Sequence, residues 1–173
     1  DKNAKYAELS ASFELTTDKA VKLFEKFGIF TRVELESREE IIYETYAKTI
    51  NIEALTMIDM AGKDIIPAVA AYTGELANTV VTVKEAGAPA TAQKELLVEV
   101  DSLLAEAKKA LKHLEECTVD ANKIENAKER AFYYKDVVDV AMTALRKPVD
   151  KLEMLVDSDI WPMPTYGELM FEI

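Results

Sequence analysis

Apolar residues recur along this chain at alternating intervals of three and four, the spacing of one face of an α-helix. The pattern is cleanest at Leu97, Val100, Leu104, Ala107, Leu111 and Leu114, a seam that would pack on another helix in coiled-coil fashion. Ile124, Ala127, Ala131, Tyr134, Val138, Ala141 and Leu145 repeat the alternation, and Leu152 and Leu155 extend it. A turn over Cys117 to Asn122, with Asp120 as its cap, would join the two seams into an antiparallel hairpin. Pro148 falls inside the second seam and is expected to bend it or to begin a fresh helical segment.

Upstream, Thr17 can cap a first helix in which Ala20, Phe24 and Phe27 share a face and which Gly28 stops. Ile29 to Leu35 reads as extended or turn-like. Ser37-Arg38-Glu39-Glu40 then has the form of a capping box, with the Ser37 hydroxyl accepting from the Glu40 amide and the Glu40 carboxylate reaching back. From there Ile42, Tyr46, Ile50, Leu55 and Ile58 continue at helical steps, and nothing stops them before Gly87-Ala88-Pro89. Such a helix would run for roughly 48 residues and ~70 Å. Pro67 lies within it and predicts a kink near Gly62–Pro67 or a break into two helices.

These elements predict an all-α fold. It would be an elongated antiparallel bundle of about four to five helices, two or three of them long, with an extended Pro-rich C-terminal tail. Residues 1–16 read as a linker or docking segment, 17–160 as the bundle, and 161–173 as the tail. Composition supports few, long helices, because 173 residues contain only 5 Gly and 5 Pro. The chain opens at Asp1 instead of Met, so further polypeptide is expected upstream. A net charge of −11 disfavours nucleic acid and anionic membranes as partners and favours solubility. The lone Cys117 cannot form an internal disulfide, which fits a reducing cytoplasm. The most apolar run, Ile65 to Tyr72, is far shorter than the ~20 residues a membrane span needs.

Candidate chemistry is sparse. His113 is the single histidine, with Glu116 the nearest acid on the same helix face, and no Glu-x-x-His or second thiol completes a ligand set. Glu39, Glu40, Glu44, Glu115, Glu116, Asp136 and Asp139 flank the apolar seams, as a solvated helix face does. Cys117 has no base beyond His113 on its own helix, and no Gly-rich loop could cradle a phosphate. Met57, Met60 and Met142 read as core filling. No catalytic, cofactor-binding or metal-binding residue is assigned. Trp161, Tyr166 and Phe171 remain as candidates for docking on a neighbouring surface, the alternative being a tail folded back over its own bundle.

Leu23-Phe24-Glu25-Lys26, Glu34 to Ile41, Tyr46, Ile50 to Glu53, Thr56-Met57, Ile66-Pro67-Ala68 and Tyr72, with the closing segment Trp161 to Ile173, resemble the C-terminal domain of class III glutamine synthetases. Glu168 departs from the Asp expected there, and Pro148 is outside the pattern. The resemblance implies an accessory helical domain that supports assembly or regulation. Its parent would be a homo-oligomer of stacked hexameric rings, ligating ammonia to glutamate with ATP and Mg. The catalytic residues would lie in the upstream catalytic domain of the same chain. A free-standing helical protein–protein interaction module is the alternative reading.

Overall fold

The computed structural model describes residues 14–164 and 169–170. Residues 1–13 of the linker or docking segment expected over 1–16, and Tyr166 and Phe171 of the tail, lie outside the described residues. Within them the fold is all-helical, as the periodicity requires. Helix α1 spans Asp18–Lys26. Helix α2 (Arg32–Met60) passes through a π turn at Ala61–Ile65 into α3 (Ile66–Glu85). Helix α4 spans Thr91–Ala121, and α5 (Ala127–Tyr133) passes through a second π turn, Tyr134–Val138, into α6 (Asp139–Glu153). The chain divides into two compact units, Asp1–Ala54 with Cys117–Asp139, and Leu55–Glu116 with Val140–Ile173.

In the first unit, Thr17 caps α1 by accepting from the Ala20 amide at 3.4 Å. Gly28, at φ +64°, ends the helix in a Schellman turn: its N–H donates to Glu25 and that of Ile29 to Phe24. The face of α1 differs from the one the spacing suggested. Val21 is buried, Phe24 is half-buried against Phe30 at 5.8 Å, and Phe27 is exposed. Phe27 is the C-cap residue, at φ −92° and ψ 0°, so its side chain no longer follows the helical phase.

The start of α2 is also earlier than Ser37. Thr31 and Glu34 form the capping box instead. The Thr31 N–H and hydroxyl both donate to the Glu34 carboxylate, at 2.7 and 2.8 Å, and the Glu34 amide approaches the Thr31 hydroxyl at 3.4 Å. These bonds, first the one from the backbone, hold the Glu34 carboxyl below its usual range. Thr-x-x-Glu and Ser-x-x-Glu carry the same signal, and burial decides between them. Starting at Thr31 brings Leu35 into the core, where it is almost wholly buried, a gain of about 1.5–3 kcal/mol. Residues 29–35 are therefore turn and first helical turn, with no extended segment.

Nor does a turn form over Cys117 to Asn122. Helix α4 continues to Ala121, because Cys117, Thr118 and Ala121 carry its buried face onward. Asp120 pairs with Lys123 at 2.7 Å, and the cap of α5 is Asn126, whose side-chain oxygen accepts from the Glu129 amide at 3.0 Å.

In the second unit, Val100, Ala107 and Leu114 are fully buried at strict seven-residue spacing. Leu97, Leu104 and Leu111 are half-buried beside them. Pro67 neither breaks nor ends its helix. It has no N–H for the carbonyl four residues back, and the π turn just before it widens the register, with the Ile66 N–H reaching Ala61. Gly87, at φ +87°, closes α3 in a second Schellman turn. Pro148 is buried within α6, which runs through it to Glu153, so no fresh helical segment begins there.

Candidate functional site

The tail aromatic that can be placed is Trp161. Asp157 builds the turn behind it, accepting from the amides of Ile160 and Trp161 at 3.0 and 2.9 Å through its carbonyl and from Asp159 through its carboxylate. That turn returns the chain onto the second unit. There the indole is 9% exposed among Val69, Val100, Leu152 and Val156, with Ile160 and Met163 half-buried beside it. Its ring N–H is buried without a hydrogen-bond partner, a cost of about 1–3 kcal/mol. The ring therefore packs within its own unit, the fold-back arrangement weighed above.

Several concavities are formed by described residues. One, about 800 Å³, lies in the second unit where α3 ends and α4 begins, lined by Lys84, Lys94 and Lys151 together with Glu95, Glu99 and Ser102. Three separate helices bring these lysines together, and no local spacing announces that. A second, about 230 Å³, is apolar and lies beside the first π turn, between Met57, Met60, Ile65 and Leu145. Met57 and Met60 thus line a gap instead of filling the core, and only Met142 is buried. A third, about 200 Å³, lies in the first unit among Glu36, Glu39, Glu40 and Lys128.

The acids singled out in the sequence are mostly engaged locally. Glu39 accepts from the Tyr43 hydroxyl at 2.6 Å, Glu44 pairs with Lys48 at 2.8 Å, and Glu116 lies 3.9 Å from Lys112. His113 stands on the exposed side of α4, whereas Cys117 is buried. Among the described residues no group of three or more His, Cys, Asp or Glu side chains could hold a metal ion. Tyr134 joins separate segments of the first unit. Its hydroxyl lies 2.9 Å from the Asn51 side-chain oxygen and 3.0 Å from that of Asn122, and burial pushes its phenol up. Among the described residues no helix is long and apolar enough to cross a membrane.

This chemistry describes a packed helical segment, and the chain is similar to known proteins. Residues 3–84 match the family described as the glutamine synthetase C-terminal domain. Similarity to glutamine synthetases also extends beyond that stretch. A glutamine synthetase of Butyrivibrio fibrisolvens is 38% identical over 159 residues, covering 91% of this chain and 23% of the relative. A type-3 glutamine synthetase of Dictyostelium discoideum is 33% identical over 166 residues, covering 91% of this chain and 22% of its own. One from Bacteroides fragilis (strain YCH46) is 32% identical over 149 residues, 83% of this chain and 20% of the relative. The chain thus spans less than a quarter of the length of the glutamine synthetases it matches.

Proposed function

We propose that this chain is the accessory C-terminal helical domain of a class III glutamine synthetase. It packs on the upstream catalytic domain of its own polypeptide and supports assembly or regulation of the enzyme. One observation carries the reading: most of this chain aligns with less than a quarter of each glutamine synthetase, and its matched family is that enzyme's C-terminal domain. The local engagement of its acids in caps and helix-surface pairs agrees with a structural task.

On this reading the parent enzyme joins ammonia to glutamate with ATP and Mg, in a cytoplasmic homo-oligomer of stacked hexameric rings. The metal-binding and nucleotide-binding residues then belong to the upstream domain, and no step of the reaction is routed through the residues described here. The experiment is an assay of the isolated chain with ATP, Mg, glutamate and ammonia. No glutamine above background is expected. Turnover by this chain alone would refute the accessory role.

A further inference from the structure

The end of α1 and the start of α2 leave four large apolar side chains in solvent between Leu23 and Val33. Leu23 is 54% exposed, Phe27 64%, Ile29 56% and Val33 73%. Local geometry fixes them there. Leu23 is in the last turn of α1 and Phe27 is its C-cap residue, the Schellman turn at Gly28 carries Ile29 around the corner, and Val33 is in the first turn of α2. The Arg32 guanidinium bonds the Asp18 carboxylate at 2.6 Å, which ties the start of α2 to that of α1. Lys22 and Lys26 are exposed on the same helix, with the Lys26 ammonium 5.9 Å from the Phe27 ring. An apolar centre with charged groups around it is the usual anatomy of a protein interface.

We infer that this α1–α2 corner is the face by which the chain docks onto the upstream part of its own polypeptide, at an apolar depression with an acidic margin. The inference rests on the accessory-domain reading and adds to it where contact is made and with what chemistry. Two observations choose this occupant over a second copy of the chain. The first is area. The four side chains present roughly 400 Å², about the largest apolar patch that a soluble monomer shows. That is about half of the ~800 Å² per partner that holds two free proteins together. Contacts between domains of one chain bury ~600–1,500 Å² in total, so ~300 Å² or more per side suffices, because the tether keeps the partners at high effective concentration. The second is length. More than three quarters of each related glutamine synthetase lies outside the part this chain matches, and the corner belongs to the stretch matched to the family's C-terminal domain.

The test is made on the full-length parent. Hydroxyl-radical labelling is compared, residue by residue, with the denatured protein, and lysines are cross-linked and mapped. Leu23, Phe27 and Ile29 should be protected several-fold more than the exposures above allow, and Lys22 and Lys26 should cross-link to lysines upstream of Asp1. Protection accompanied only by links to Lys2 or Lys5, or by a Lys22–Lys22 link between copies, would overturn the assigned occupant. Full labelling of the corner, with protection instead at Val98, Val140 or Met154, would overturn this surface and leave the accessory-domain reading standing. Full labelling of all these positions, with no links upstream, would overturn both.

Discussion

Replacing Tyr134 with Phe removes a single oxygen from a point where α2, the turn after α4 and the second π turn meet within the first unit. The ring is 1% exposed, and Phe keeps its volume, so packing changes little. The hydroxyl has one proton and two amide neighbours, Asn51 at 2.9 Å and Asn122 at 3.0 Å. It can donate to one side-chain oxygen only, so the other amide turns its NH₂ toward it and donates. Two hydrogen bonds at about 0.5–1.5 kcal/mol each set an upper limit near 3 kcal/mol. Burial trims that figure unequally. Asn122 is exposed and can return to water, whereas half-buried Asn51 regains water less completely. The expected loss is therefore about 1–2 kcal/mol.

Urea unfolding should show the midpoint falling at constant slope. For a chain of this size the melting temperature should drop by roughly 2–8 °C. Pairing the change with Asn51→Ala should give less than the sum of the single losses, because both remove the same bond. The pH dependence adds an independent sign. Burial holds the proton on folded Tyr134 above the value of 10.0 at which an unperturbed tyrosine titrates. Above pH 10 the unfolded chain binds fewer protons than the folded one, so stability falls as pH rises there, and the Phe variant lacks that contribution. A loss under about 0.3 kcal/mol, with no difference in alkaline sensitivity, would mean that the hydroxyl does not join these segments.

Two further changes test other parts of the structure. Trp161→Ala should cost about 3–5 kcal/mol in chemical unfolding, as for a buried aromatic. Trp161→Phe should cost well under half of that, because it also removes the unpartnered ring N–H, and an unaltered melting temperature in the Ala variant would mean that the tail is free of the core. Thr31→Ala should cost about 1 kcal/mol, and Ser37→Ala, in mid-helix, under about 0.5 kcal/mol. Because the Glu34 carboxyl is held below its usual value of 4.5, the stability it lends is present above that pH and is lost as the pH falls through the lowered value. The Thr31 variant should therefore show a flatter acid limb, and equal losses at Thr31 and Ser37 would contradict the earlier helix start.

Helical periodicity was legible because burial of a continuous face dictates it. Val100, Ala107 and Leu114 were named from spacing alone and are fully buried. The turns at Gly28 and Gly87 were legible because positive φ there suits glycine. The start of α2 failed because two signals of equal local strength compete there. Thr31 and Ser37 both head a Thr/Ser-x-x-Glu run, and only the burial of Leu35 separates them. The two π turns were hidden, since widening a helix by one residue leaves no compositional mark. They let Pro67 sit in a continuous helix and place the Tyr134 ring in the core. As for interaction surfaces, Phe27 was assigned to the inner face because its spacing continued the helix. The cap geometry that turns it outward arises from the Schellman bonds that follow it. The gathering of Lys84, Lys94 and Lys151 required the tertiary fold.

The most direct measurement is the nucleotide sequence of the gene immediately upstream of the codon for Asp1. The account predicts that the reading frame continues through several times the length of this chain and encodes a glutamine synthetase catalytic domain with its metal-binding glutamates. A start codon adjoining Asp1, or an upstream domain of unrelated chemistry, would contradict it.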